Sequence, residues 1–449
     1  MGFKSFLFTG VVATGLFIGQ NVWADPMQEA LDKIAQCNEK RCNQLRLSGI
    51  KGLTVIPAEA LSIAKLDSLD LSRLEITDLS MIAKMPWLKE INLSGTPVTD
   101  LSGLSGLKAL RVLNLSNSKV TDLTPLAGMG ALQKLDISRT GISDISVLAK
   151  LGALQKLILT KSAVTDISPL AGMGGLEELS LTRVAVTDFG PLAGLGALEE
   201  LDLSETGISD LSPLAGLAAL RTLKITETKV SDLAPLADLR LLGGLSASFT
   251  QVSDLAPLAK LKNLQNIFVN GTQVSDLGPL AGMMVLYGLD LSETGVSDIS
   301  PLANSPELKS LYLNKTEVAD ISAVASMPKL QTLNLKGTKV ADITPVSGLA
   351  EISSLDLNET AVSDISALAG KEKLSNLDLN RTGVADLSPL AGLPKLRSLD
   401  VSDTKVTDLS PLIGLPKFRS LTVYNLTSLD KSQLDKLQES GVKLRGLDE

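Results

Sequence analysis

Residues 201–215 read LDLSETGISDLSPLA, and residues 289–303 read LDLSETGVSDISPLA. The two stretches lie 88 positions apart, four times 22, and an aspartate marks every step between and beyond them. This comb runs from Asp78 through Asp100, Asp122 and Asp144 to Asp408 and Asp430 without an insertion or deletion. Self-similarity at a fixed period of this size marks a stacked array, in which no unit can bury its apolar face alone.

With each comb aspartate as position zero, apolar residues recur at +1, +4, +7, +10, +13, +15 and +20. In the unit from Asp100 these are Leu101, Leu104, Leu107, Leu110, Leu113, Leu115 and Val120. The alternation at the end of the L-x-x-L-x-L segment places Leu113 and Leu115 on one face of a short strand and Asn114 on the other. One such strand per unit, stacked in parallel, builds a continuous sheet. The segment after each aspartate, such as DLSPLAGL at 210–217, spaces its leucines as a helical or 3₁₀ turn would. The aspartate is then expected to act as N-cap, accepting a hydrogen bond from an early N–H of that turn. Proline at +3, found in eleven of the sixteen units from Asp78 to Asp408, suits a first turn, where no intrahelical N–H bond is lost. A calcium-binding role for the comb is the weaker reading, because calcium-binding solenoids use Gly- and Asp-dense nonapeptides. Position +18 is threonine twelve times from Thr96 to Thr404, with Ser118 and Ser162 as substitutes and Leu74 and Val184 as interruptions. A small hydroxyl at the bend after each strand is expected to turn inward and bond the backbone of the neighbouring coil, forming a ladder.

The pattern L-x-x-L-x-L-x-x-T-x-V-x-D-L-S-P-L-A-x-L resembles the 22-residue leucine-rich repeat of bacterial internalin-like proteins over residues 66–437. The resemblance implies an α/β solenoid, a leucine-rich repeat horseshoe with a parallel β-sheet on the concave face and short 3₁₀ or helical turns on the convex face. The chain departs from that family in using Thr for the usual Asn of the ladder, in having no immunoglobulin-like domain after the repeats, and in having no cell-wall sorting signal. The expected division is a signal peptide at 1–24, an N-terminal helical cap with an irregular first repeat at 25–65, the array at 66–429 and a C-terminal cap at 430–449. Residues 26–36 read as the cap helix and Leu45–Leu47 as the first strand. At the other end, the segment after Asp430 reads as a polar helix followed by a last strand near Val442–Leu444. Such caps cover the apolar ends and strand edges that an open solenoid would expose.

Composition bounds the function. The formal net charge of -8 argues against binding a phosphate backbone, so nucleic acid is not an expected partner. The stretch from Ser5 to Ala24 is uncharged, with small-residue spacing at Val22-Trp23-Ala24, and reads as an export signal cleaved before Asp25. That places the protein in the periplasm or outside the cell, with no transmembrane segment in the mature chain. The apolar run from Phe6 to Ile18 is short for an uncleaved membrane anchor. Cys37 and Cys42, the only cysteines, are expected to form a disulfide in an oxidising compartment. Free buried thiols are the alternative. Two thiols in a chain without histidine make only half a zinc site. The absence of His also removes the commonest general base, so no catalytic residue, metal or cofactor is expected.

Function must therefore sit on the outward residues of the sheet. At +14 Asp or Asn is the default, and Ile158, Lys224, Phe268 and Tyr312 are the informative departures. Eight aromatics follow residue 24, and four of them, Phe249, Phe268, Tyr287 and Tyr312, fall in successive units. The most irregular unit, 239–251, places Gly243, Gly244 and Ala247 where neighbours carry polar or Leu residues. Exposed aromatics on a rigid surface are typical interface anchors. The predicted partner-binding set is Phe268, Tyr312, Tyr287, Phe249, Ile158, Lys224 and Asp290, and Asp356, Asp378 and Asp400 form a possible acidic patch on adjacent strands. The expected function is a monomeric, non-catalytic exported protein that binds another protein through its concave sheet. A structural scaffold of the cell envelope and a cell-wall glycan binder stacking sugars on Phe268, Tyr287 and Tyr312 are the alternatives.

Overall fold

Each unit spends three residues on a strand and the other nineteen on returning to the start of the next, so strand pairing sets the register of the whole chain. A computed structural model describes residues 25–426 and 428–447; the expected signal peptide lies outside these. Nineteen strands, from β1 (Gln44–Arg46) and β2 (Ser68–Asp70) to β18 (Ser420–Thr422) and β19 (Lys443–Arg445), form one sheet. They pair in parallel and in chain order. Successive partners from β2 to β18 lie 22 residues apart, as Ser68 does from Glu90. Irregular spacing is confined to the ends, where Gln44 faces Ser68 and Ser420 faces Lys443. The sheet does not close on itself, and the return path of each array unit is a 3₁₀ turn. The fold is the open leucine-rich repeat solenoid expected from the repeat.

The ends are capped. Helix α1 (Pro26–Lys40) buries Ala30, Ile34 and Cys37 against the first coil, and Asp25 accepts the N–H of Met27 at its start. It outruns the expected boundary at 36 and stops where Arg41 turns left-handed at φ 50°. Cys37 and Cys42, Cα atoms 5.0 Å apart, are joined as a disulfide across that stop. Helix α2 (Lys431–Glu439) sets Leu437 into the last coil. The terminal strands sit one residue from their expected places, at 44–46 and 443–445.

Two polar devices turn every coil. At the first, the comb aspartate accepts the N–H two residues on, at 2.8 Å for Asp100 to Ser102, Asp210 to Ser212 and Asp386 to Ser388. The same bond recurs where the acceptor faces Ala234, Ala256 or Gly278. The 3₁₀ turn begins one residue later than anticipated, with Leu at its cap position, so the aspartate heads an Asx turn instead of being the cap itself. Only at Asp430 is the comb residue a true N-cap, of α2. These bonds hold several of the carboxyls below the ordinary value: backbone N–H then hydroxyl of the following Ser for Asp78, Asp100 and Asp386, hydroxyl then N–H for Asp210.

The second device follows the strand. The Asp or Asn at +14 accepts the N–H at +16, as Asn114 does from Ser116 and Asp136 from Ser138. The residue at +17 is left-handed throughout the array, at φ 57° for Asn117 and 67° for Gly271. Fourteen of these seventeen positions are not glycine, at a cost of roughly 1 kcal/mol each. What holds them is the ladder: the N–H of Asn117 reaches Ser138 O, and that of Phe249 reaches Asn270 O, each at 2.8 Å.

The threonine at +18 corrects the expected inter-coil ladder. Each of the twelve donates its hydroxyl to the carbonyl three residues back in its own coil, as Thr96 does to Leu93 and Thr338 to Leu335, both at 2.6 Å. The bend brings that carbonyl within reach of the hydroxyl, and the γ-methyl restricts χ1. The hydroxyls of Ser118 and Ser162, which lack the methyl, are buried and unpaired.

The aliphatic columns fill the space between sheet and turns and are almost completely buried. Two polar residues interrupt the leucine and methionine column at +7. Ser305 is 0% exposed with an unpaired hydroxyl, and Lys371 is 6% exposed. The Lys371 ammonium donates to the carbonyls of Ser347 and Leu349, and burial lowers its pKa.

Thr338→Val is expected to lower the urea midpoint by an amount equivalent to about 1 kcal/mol at unchanged slope. Ser118→Thr is expected to raise it comparably, by supplying the bond made at the equivalent threonines. A neutral Ser118→Thr would mean that the bend gains nothing from the hydroxyl.

Candidate functional site

The outward side of the sheet carries the residues freed from packing. Lys224 ends β9 (Thr222–Lys224), Ser246 ends β10 (Gly244–Ser246), Phe268 ends β11 (Asn266–Phe268), Asp290 ends β12 (Gly288–Asp290) and Tyr312 ends β13 (Ser310–Tyr312). Strand register sets them side by side in that order, so Phe268 and Tyr312 stand two strands, roughly 10 Å, apart with Asp290 between. Both rings are half-buried. Ile158 closes β6 (Lys156–Ile158) further up the same row.

Between Lys224 and Phe268 the sheet surface drops into a hollow of about 680 Å³, floored by Gly243, Gly244 and Ser246. Arg221 and Lys224 form one wall; Asn263, Gln265, Asn266 and Phe268 form the other, and Leu241 stands at its edge. A smaller hollow of about 140 Å³, which includes Ile158, Ser180 and Asp202, shares Thr222 and Lys224 with it, so the two make one groove across six strands. The glycines are there for space, not for backbone freedom. Neither has positive φ, and a β-carbon at Gly244 would meet only Thr222, at 3.7 Å.

The aromatics are not one patch. Phe249, at the left-handed bend beyond β10, is 52% exposed, whereas Tyr287 precedes β12 at the opposite end of the strands. The Tyr287 ring carries the Lys309 ammonium 5.0 Å from its centroid. Phe249 lies over a glycine of the next unit: a β-carbon at Gly271 would stand 2.6 Å from Phe249 Cε1. At Gly288 it is the Asn266 side chain that takes the space, with Oδ1 2.7 Å from where a β-carbon would stand. Sequence reasoning flagged Gly243 and Gly244 but missed Gly271 and Gly288; their signal was a glycine one unit after an aromatic.

Charge is distributed just as unevenly. Ion pairs bridge neighbouring units along much of the array, including Arg221 to Glu199 at 3.1 Å, Lys315 to Glu293 at 2.7 Å and Lys373 to Glu351 at 2.6 Å. Among the described residues none falls between Lys224 and Glu293. That interval also holds Leu241, Phe249, Met284, Val285 and Tyr287, five of the exposed large hydrophobic side chains.

A family model described as leucine-rich repeats (2 copies) matches residues 86–128, 108–150 and 372–414. An internalin of Listeria monocytogenes is 28% identical, with 69% of this chain and 85% of that one covered at a TM-score of 0.57. The chain is a leucine-rich repeat protein similar to bacterial internalins. A leucine-rich repeat protein of Leptospira interrogans shares the fold at 17% identity, covering 91% of this chain and 97% of its own with a TM-score of 0.66. The functional domain of another Listeria monocytogenes internalin, which includes a cysteine ladder, is 21% identical over 76% of this chain and 75% of its own, with a TM-score of 0.60. No curated protein matches.

This internalin-like protein has no helix among its described residues long and apolar enough to cross a membrane. Nor do those residues include a group of three or more His, Cys, Asp or Glu side chains arranged to hold a metal. The acidic row does assemble: Asp356, Asp378 and Asp400 face one another across β15 (Ser354–Asp356), β16 (Asn376–Asp378) and β17 (Ser398–Asp400). Asp356 and Asp400 make the usual bond to the N–H at +16, whereas Asp378 does not; its share goes to Asn358, which takes the N–H of Asn380 at 2.8 Å. Burial, then the charges of Asp356 and Asp400, push Asp378 up to about 6 against the lowering influence of Lys336.

Asp378 therefore takes up its proton in the folded state before it would unfolded, so stability is expected to rise as pH falls from about 7 to about 5. Asp378→Asn is expected to stabilise the fold at pH 7.5 by about 1 kcal/mol after solvent screening, and by less than half as much at pH 4.5. Melting curves at the two pH values check this, and an equal shift at both would remove the acidic row as its cause.

Proposed function

We propose that this internalin-like chain is an exported binding protein that holds another protein against its concave sheet and performs no chemistry of its own. The observation that carries the reading is the groove from Ile158 to Phe268, deepened at Gly243 and Gly244, where side chains would fit and are absent. A rigid solenoid offers such a groove pre-formed, so little ordering cost attends binding. Lys224 stands at the junction of the two hollows, 4.0 Å from Asp202, and Ile158 supplies an apolar contact at the far end. Export rests on the uncharged segment before Asp25, and the absence of histidine supports a non-catalytic role.

Gly244→Lys tests the groove without straining the fold, because Lys134, Lys156, Glu178 and Glu200 hold the same register in other units. The expected outcome is that a protein retained from envelope or culture-supernatant fractions by the parent chain is lost from the variant, while the melting temperature stays the same. Equal recovery of a diffuse set by both chains would favour the scaffold reading.

A further inference from the structure

We propose that the face between Phe268 and Tyr312 binds a β-1,4-linked glycan chain, with the two rings as stacking platforms. The inference goes beyond the protein-contact reading and shares Gln265, Asn266 and Phe268 with it.

Three observations converge on this ligand class. Phe268 and Tyr312 are half-buried rings on the outward side of the sheet, and a sugar's C–H face packs on an aromatic ring. Beside Phe268, the side-chain amides of Gln265 and Asn266 make no internal hydrogen bond, and Gly288 leaves the room that Asn266 Oδ1 occupies. Such amides offer paired donors and acceptors to hydroxyl or acetamido groups. Between the rings, Asp290 spends one carboxylate oxygen on the N–H and hydroxyl of Ser292, leaving the other as an acceptor for a sugar hydroxyl.

The spacing selects the linkage. Phe268 and Tyr312 stand two strands, roughly 10 Å, apart because they occupy the same position in alternate units of a sheet with fixed strand separation. In a β-1,4-linked chain every second sugar turns the same face to one side, over a repeat close to two strand spacings. Such a chain laid across the strands would meet one ring with alternate sugars. Tyr287 takes no part as a platform, because the Lys309 ammonium already lies over its ring.

Isothermal titration of the purified protein with chitohexaose, cellohexaose and the corresponding dimers tests the proposal. One hexamer is expected to bind, its dimer to bind far more weakly because it cannot span both rings, and Tyr312→Ala or Phe268→Ala to weaken the hexamer about tenfold. Tyr312→Phe, which keeps the ring, and Tyr424→Ala, at an exposed aromatic elsewhere, are expected to bind as the parent does. No heat from either hexamer, equal affinity for dimer and hexamer, or undiminished binding by Tyr312→Ala would overturn it. A protein captured by the parent and lost from Tyr312→Ala, with no oligosaccharide bound, would assign the ring pair to the protein interface and also overturn it. Tyr312→Ala distinguishes the two readings, since Tyr312 lies outside the hollow, whereas Gly244→Lys stands beside Asn266 and perturbs both.

Discussion

The backbone hydrogen bond from one coil to the next is the constraint on which everything else rests. Leu115 N–H reaches Asp136 O at 2.8 Å, and the equivalent pair one unit on, Ile137 to Ile158, at 3.0 Å. Such a bond exists at every coil only if every coil has the same length and bends in the same two places. The aspartate comb and the threonine column are the means to that end, since each satisfies backbone groups at a bend that the ladder itself cannot reach. The left-handed residue at +17 shows how firmly the ladder dictates conformation. Arginine, lysine, glutamate and even Phe249 accept an unfavourable φ there because the N–H beyond must meet its partner.

A core of one aliphatic row per column has little tolerance for other residues, yet Ser305 and Lys371 occupy it. Lys371 survives because two carbonyls of the preceding unit lie within reach of its ammonium, which burial pushes toward the neutral form. Ser305 has no such compensation among the described residues. Its neighbours keep their registers regardless, as expected where each unit contacts only the next and a local defect stays local.

Sequence made the fold legible because its signals are periodic and redundant. The strands, the 3₁₀ turns and the outward row could all be placed by counting from an aspartate. What counting could not supply was direction within a bend. An inward-facing threonine suits an inter-coil or an intra-coil partner equally, and only the left-handed turn at +17 brings the carbonyl of Leu93 under Thr96. The same limit applied at Asp78 and its equivalents, where the difference between capping a turn and preceding it is one residue. In the site, Phe268, Lys224 and Ile158 were readable as departures from Asp or Asn. The hollow between them was not, because it arises from Gly243 and Gly244 acting with walls contributed by adjacent units.

Function in such an array has to be sought in departures, since what repeats is already committed to the ladder and the core. Departures alone are cheap, however, because an outward side chain can drift without cost to folding. Coincidence is the stronger criterion. Within the units that carry Phe249, Phe268 and Tyr287, the sheet drops into the hollow at Gly243 and Gly244, the Phe249 ring lies over Gly271, and among the described residues the amides of Gln265 and Asn266 are left without partners. Independent drift would scatter these features along nineteen strands. Gly271 under Phe249 meets the left-handed φ of 67° that the bend requires, so the backbone accounts for it. Gly243 and Gly244 answer no such demand, and their place in the hollow makes sense chiefly for what fills it.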